Sequence, residues 1–69
     1  MTTTADLIRA AMLSRNIFSG RQLAYVADMK HRTVARILAG ERDVTLTELG
    51  VIARALHVEP ADLIPASAA

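Results

Sequence analysis

The chain of 69 residues contains no cysteine and no tryptophan, and it has only one tyrosine and one phenylalanine. Without cysteine there can be no disulfide, no thiolate zinc site and no dithiol redox pair. The two histidines, His31 and His57, stand far apart with no cluster of carboxylates near them, so we expect neither a metal site nor a cofactor. No apolar run approaches the roughly 18 residues that a membrane-spanning helix needs, so we expect no membrane partner.

The shortness of the chain limits its function as well. A chain of this length is expected to form one domain that buries only about 60% of the surface of its unfolded state. A substrate cavity would take up much of such a small core, and the sequence offers no evident pair of catalytic groups. We therefore expect a domain that is not an enzyme and has no small-molecule ligand.

Composition and charge favour a folded protein with a partner of negative charge. The chain is 52% hydrophobic and 22% charged, as in ordinary globular domains. Its N-terminus has no basic region followed by an apolar stretch, so we predict no signal peptide and a cytoplasmic location. The net charge is only +1. However, residues 1–43 carry a balance of +3 and residues 44–69 a balance of −2, which suggests one side that faces a polyanion.

Helix signals are dense and strand signals are nearly absent. Thr3 or Thr4 can cap a first helix, whose apolar stripe runs to about residue 14 before Asn16 stops it. A Ser-x-x-Gln capping box at residues 19–22 starts a second helix, which ends near Asp28. Phe18 and Leu23 flank this start at the positions of a hydrophobic staple. We expect this helix to bury Leu23, Val26 and Ala27.

Three further helices complete the predicted fold. A third helix should run from Lys30 or His31 to Ala39, where Gly40 ends it. A Thr-x-x-Glu capping box at residues 45–48 opens a fourth helix that reaches about Leu56. Pro60 stands at the first position of a fifth, short helix, and Pro65 blocks its continuation. The prediction is an all-α fold of five short helices over residues 1–64, followed by a flexible tail over residues 65–69.

The most informative pattern lies in residues 23–40, which read Leu-Ala-Tyr-Val-Ala-Asp-Met-Lys-His-Arg-Thr-Val-Ala-Arg-Ile-Leu-Ala-Gly. This segment resembles the helix-turn-helix of the lambdoid phage repressor and Cro family, whose pattern is roughly L-A-x-x-x-G-V-S-x-x-T-I-S-x-I-E-x-G. The resemblance continues downstream through the apolar residues of the predicted fourth and fifth helices, so that it covers about residues 6–64. It implies a lambda-repressor-like DNA-binding domain with its helix-turn-helix at the second and third helices.

The resemblance also implies roles for individual residues. The third helix, residues 31–39, would enter the major groove of double-stranded DNA, which admits one α-helix. The family's base-reading positions correspond here to His31, Arg32 and Arg36, with Ala35 between them. Arginine suits bidentate contact with guanine, so we expect a guanine in each half-site. Phosphate contacts are expected from the helix starts and nearby cations, namely Ser19, Gly20, Arg21, Lys30, Thr33 and Arg42.

The sequence departs from the family pattern at several positions. Asp28 replaces the turn glycine, and Lys30 replaces the serine that caps the third helix. Lys30 cannot accept a hydrogen bond from the helix amides, so it suits a phosphate contact better than a cap. Leu38 replaces a glutamate that pairs with an arginine of the first helix, whose place is taken by Met12 or Leu13. We expect an apolar contact there. Gly20 replaces a glutamine.

One such module reads few base pairs, so specific binding would require two modules about one helical turn apart. The family commonly dimerises through its last helix and the neighbouring loop, which implicates Val44, Val58, Leu63 and Ile64. The alternative is that Leu63 and Ile64 only close the monomer core. We predict a phage or bacterial transcriptional repressor associated with the nucleoid. Rival interpretations are an antitoxin-type autoregulator, a phage directionality or architectural factor, or a protein-interaction module that kept the fold.

Overall fold

The computed structural model describes residues 2–65, and every regular element in that range is helical. Four α-helices follow one another: α1 (Thr4–Ser14), α2 (Gly20–Ala27), α3 (His31–Leu38) and α4 (Leu46–Leu56). A short 3₁₀ helix, Pro60–Leu63, follows α4. The all-α prediction is confirmed, although the predicted fifth α-helix is this 3₁₀ helix instead. Most of the predicted tail, residues 66–69, lies outside the described residues.

The helix starts are capped largely as the sequence predicts. Thr3 caps α1 in a reciprocal box with Asp6, and Thr45 caps α4 in the same way with Glu48. In both boxes the hydroxyl accepts from the third amide of the helix, which satisfies a donor that has no partner within the helix. The Ser19 hydroxyl likewise accepts from the amide of Gln22 at 3.1 Å. The side chain of Gln22, however, accepts from the amide of Phe18 at 2.7 Å, so the predicted box is displaced by one residue.

All four α-helices end in the same backbone turn. A residue in the left-handed conformation follows each helix: Asn16, Asp28, Gly40 and His57. The next amide donates to the carbonyl five residues earlier, for example from Met29 to Ala24 at 2.9 Å. This is a Schellman motif, which gives partners to carbonyls that the helix leaves free. Three of these four left-handed residues are not glycine, and asparagine and aspartate tolerate that conformation better than most residues.

The core lies between α1, the α2–α3 pair and α4. Ile8, Leu23, Ile52 and Leu56 are completely buried there. Ala24 is also buried, where its small side chain suits the close packing of α2 and α3. Among the described residues the buried set contains no polar or charged side chain, so burial of apolar surface is the main source of stability.

Several predictions about packing on α2 were wrong. Val26 was expected in the core but is exposed, because the buried face of this short helix is formed by Leu23, Ala24 and Ala27. Phe18 keeps 69% of its surface exposed, so it does not form a buried staple over Leu23. Tyr25, on α2, is 89% exposed.

The 3₁₀ helix closes the end of the core. Only four residues separate Pro60 from Pro65 at its two ends, too few for an α-helix of normal length. Its Leu63 is 1% exposed, and the segment packs against α1 and α4. Leu63 therefore belongs to the core of the single chain, which corrects its assignment to a dimer surface.

Candidate nucleic-acid interface

Helix α3 divides sharply into a buried face and a polar face. Val34 and Ile37 are buried against the rest of the domain. The residues predicted to read bases, His31, Arg32, Ala35 and Arg36, are all exposed. Thr33, predicted to contact phosphate, is half-buried at the edge. A helix held by one apolar face in this way presents its other face to a partner.

The exposed cations of this region are not engaged within the chain. In the part of the chain that the structure describes, no ion pair or side-chain hydrogen bond involves Arg21, Lys30, Arg32 or Arg36. Helix α3 carries no acidic residue in its first turn. Four unpaired positive charges on α2, α3 and the turn between them make this surface suited to a polyanion.

The turn between α2 and α3 begins at a residue with a left-handed backbone, although that residue is not glycine. Asp28 adopts the left-handed conformation, with φ 55° and ψ 45°, in place of the family's glycine. Lys30 occupies the N-cap of α3 and makes no capping hydrogen bond with its side chain. The first amides of α3 therefore lack a side-chain cap, and the residue at this end of the helix is a lysine, an arrangement that favours an approaching anion.

The start of α2 lies against the end of α3. A Cβ atom built on Gly20 would stand 3.3 Å from Cδ1 of Leu38, so Leu38 occupies space that a side chain at position 20 would need. The two departures from the family pattern are thus complementary. Leu38 also packs against the core that includes Met12, whereas Leu13 is 61% exposed. Met12 is therefore the residue that joins the apolar packing expected in place of the polar pair.

Arg42, predicted to contact phosphate, has a different partner in the structure. Its guanidinium donates two parallel hydrogen bonds to the carboxylate of Glu48, with N–O distances of 2.7 and 2.9 Å. Glu48 accepts in addition from the amide of Thr45 at 3.0 Å. One carboxylate thus caps α4 and holds the loop that follows α3. The sequence showed the cap but not the ion pair, because the path of a loop decides which side chains meet across it.

The contacts of Glu48 predict a specific dependence of stability on pH. The Arg42 guanidinium, followed in importance by the Thr45 amide, lowers the pKa of Glu48 from 4.5 to about 2. A lowered pKa in the folded state stabilises the fold above the unfolded pKa, and this contribution is lost as pH falls through the folded pKa. We expect E48Q to melt a few degrees below the parent at pH 7, and this difference to vanish between pH 4.5 and about 2.

Thermal denaturation followed by circular dichroism over that pH range measures the difference directly. A matched control is E41Q, since Glu41 makes no ion pair with the described residues. E41Q should melt like the parent throughout. A difference between E48Q and the parent that stays constant with pH would show that the ion pair does not stabilise the fold.

Arg9 is a residue that the sequence reasoning missed. Its guanidinium donates to the carbonyl of Leu38, one of the last carbonyls of α3, and lies 3.9 Å from the carboxylate of Asp6. A cation at a helix C-terminus is favourable for the helix dipole. An arginine of the first helix therefore does reach the end of α3. It binds the main-chain carbonyl of Leu38, the position at which the family pattern has a glutamate side chain.

The residues predicted for dimerisation lie in different environments. Val44 and Val58 are half-buried and pack against the core of their own chain. Ile64 is exposed, whereas Leu63 is buried as described above. Of the four residues, Ile64 alone presents a large exposed apolar surface.

The domain has four α-helices, of which α2 and α3 are joined by a tight turn, and α3 exposes a polar, cationic face. This arrangement defines a helix-turn-helix DNA-binding domain. The family model for the Cro/C1-type helix-turn-helix DNA-binding domain matches residues 1–68. The chain belongs to this family, as its residue pattern predicts. No curated protein and no solved structure matches the chain. Over residues 2–65, no helix is long and apolar enough to cross a membrane.

Proposed function

We propose that this DNA-binding domain is a sequence-specific regulator of transcription, and that it acts as a phage or bacterial repressor. The observation that carries the proposal is the exposed face of α3, on which Arg32 and Arg36 have no partner among the described residues. The domain would act by binding within the nucleoid and not by catalysis. When this domain occupies a promoter, it blocks other proteins from the same groove.

In the proposed complex, α3 lies in the major groove and each exposed residue has a distinct task. Arg32 and Arg36 donate paired hydrogen bonds to guanine O6 and N7, while Ala35 contacts a thymine methyl group. His31, in the first turn, reads an adjacent base. Lys30 and Thr33 lie at the edge of this surface and contact phosphates. Such contacts fix the position of the helix, and the contacts to bases select the sequence.

A second set of phosphate contacts is proposed at the start of α2. The amides of Gly20 and Arg21 stand at a helix N-terminus, where the helix dipole favours an anion. Ser19 caps this end, and the Arg21 side chain adds a positive charge. Arg42 is left out of this set because Glu48 already holds its guanidinium.

Two copies of the chain are proposed to bind an inverted repeat. One α3 reads few base pairs, so two copies spaced by about one helical turn supply the specificity that one lacks. The exposed Ile64, with the half-buried Val58 and Val44 near the ends of α4, is the proposed contact between copies. Leu63 supports this surface from inside the core.

Selection of random duplex DNA by the purified protein, sequenced after binding at two salt concentrations, tests this function. We expect an enriched inverted repeat with a guanine in each half-site and half-sites one helical turn apart. Affinity should fall steeply with salt, because each phosphate contact releases counterions. R21A should reduce the slope of log affinity against log salt by about 1 without changing the selected sequence.

Two other outcomes would contradict parts of the proposal. Binding that is sensitive to salt but enriches no sequence would indicate an architectural protein. Absence of binding even at low salt would mean that the exposed cations of α3 serve a protein partner, and the same surface would then be tested against proteins.

A further inference from the structure

A small groove lies between α1, the start of α2 and the end of α3. It encloses about 210 Å³, and six of the residues that line it are Arg9, Leu13, Phe18, Ser19, Gly20 and Leu38. Phe18 and Leu13 stand largely exposed beside it, although large apolar side chains gain stability when they leave water. Neither residue supports the core, and neither has a part in the proposed contacts to bases or phosphates.

The lining of the groove combines three kinds of group. Phe18, Leu13 and Leu38 supply apolar surface, and the first amides of α2 stand at its edge. The half-exposed guanidinium of Arg9 also lines the groove, where it binds the carbonyl of Leu38 and lies near Asp6. An anion alone would need only the amides. The apolar part fits a ligand that joins an anionic group to a carbon framework, as each deoxyribose phosphate of a DNA strand does.

The position of the groove selects the DNA strand as its occupant. Ser19 and Gly20 both line the groove and form the proposed phosphate site of α2, so the two surfaces are continuous. In a DNA strand a deoxyribose is bonded directly to every phosphate. A phosphate at the start of α2 therefore places a sugar near the groove, which Phe18 lines together with Ser19 and Gly20.

We infer that Phe18 and Leu13 form an apolar wall that packs against a deoxyribose of the bound strand, next to the phosphate held at the start of α2. This inference rests on the proposed DNA-binding function and adds a contact of a different physical kind. The contact is independent of sequence, because every nucleotide carries the same sugar. It is also nearly independent of salt, because covering apolar surface releases no counterions.

The test measures affinity for the selected DNA site and for an unrelated duplex, each at several salt concentrations. We expect F18A to weaken binding to both duplexes by about fivefold to tenfold, as expected from the loss of part of a buried aromatic contact. The slope of log affinity against log salt should not change. F18L, which keeps an apolar side chain, should recover most of the affinity.

The matched control is Y25A. Tyr25 lies in α2, whereas Phe18 lies two residues before this helix, and they are the two aromatic residues of the chain. Tyr25 is even more exposed than Phe18 but does not line the groove, so Y25A should bind both duplexes like the parent. Both rings are exposed, so neither variant should melt at a temperature far from that of the parent.

The remaining outcomes overturn the inference in distinguishable ways. If the parent binds DNA and F18A binds equally well, the apolar wall is wrong while the proposed function stands. A loss of affinity in F18A that F18L does not recover, or that Y25A shows equally, also refutes the contact with the sugar. If the parent binds no DNA, both the function and this inference fail together.

Discussion

Replacing Arg36 by alanine is expected to weaken binding to the selected DNA by about 5-fold to 150-fold and to remove the preference for guanine at one position of each half-site. Arg36 is exposed on α3, and nothing in the described chain competes for its guanidinium. A bidentate contact between arginine and guanine contributes about 1–3 kcal/mol of discrimination, which corresponds to that range. Repeating the selection with R36A shows the lost preference as a position where all bases become equally frequent.

Two comparisons make this result specific. R36K keeps the charge but loses the paired donors, so it should retain the affinity for unrelated DNA and still lose the preference for guanine. R21A should lower affinity for all sequences alike. If R36A lowered affinity evenly and left the selected sequence unchanged, Arg36 would be a phosphate contact and a different residue would read the guanine.

The largest expected loss of stability follows from replacing Ile52 by alanine. Ile52 is completely buried in α4, so the change removes apolar contacts and leaves a cavity. Substitutions of this kind cost about 2–5 kcal/mol. A small domain is often stabilised by only about 5 kcal/mol or little more. We therefore expect I52A to lose a large part of its free energy of unfolding, measured as a lower midpoint in urea titration and a lower melting temperature.

Val51 provides the control, because it is the neighbouring β-branched residue of α4 and lies at the surface. V51A should change the free energy of unfolding by less than about 0.5 kcal/mol. Equal losses for I52A and V51A would mean that the change in α4 itself, and not the cavity, causes the destabilisation.

The sequence predicted the helices well because their boundaries depend on a few neighbouring residues. Three helices are capped by a side chain that accepts from the amide three positions later: Thr3, Ser19 and Thr45. Gly40 follows the end of α3, as expected. The predicted fifth α-helix is a 3₁₀ helix instead, because Pro60 and Pro65 leave only four residues between them. The roles expected for the residues of α3 come from the family pattern. The exposure of those side chains is consistent with these roles.

The errors concern contacts between segments that are distant in sequence. Arg42 meets Glu48 across a loop, and Arg9 meets the end of α3, yet no local pattern encodes either contact. Leu63 and Ile64 are adjacent apolar residues in the sequence, but only the packing against α1 and α4 shows which one is buried. The sequence did not predict the exposure of Phe18, because this position also fits a hydrophobic staple.

The capped starts and Schellman ends of the helices bear on how fast the protein reaches its native state. Each helix carries its own start and stop within a few residues, and short turns connect successive helices. Folding rates are highest in domains whose native contacts join residues near one another in sequence. Folding therefore consists mainly of packing together a few helices whose ends are already defined. A domain of this kind acquires its tertiary structure quickly, and it exposes its apolar faces only briefly while it folds.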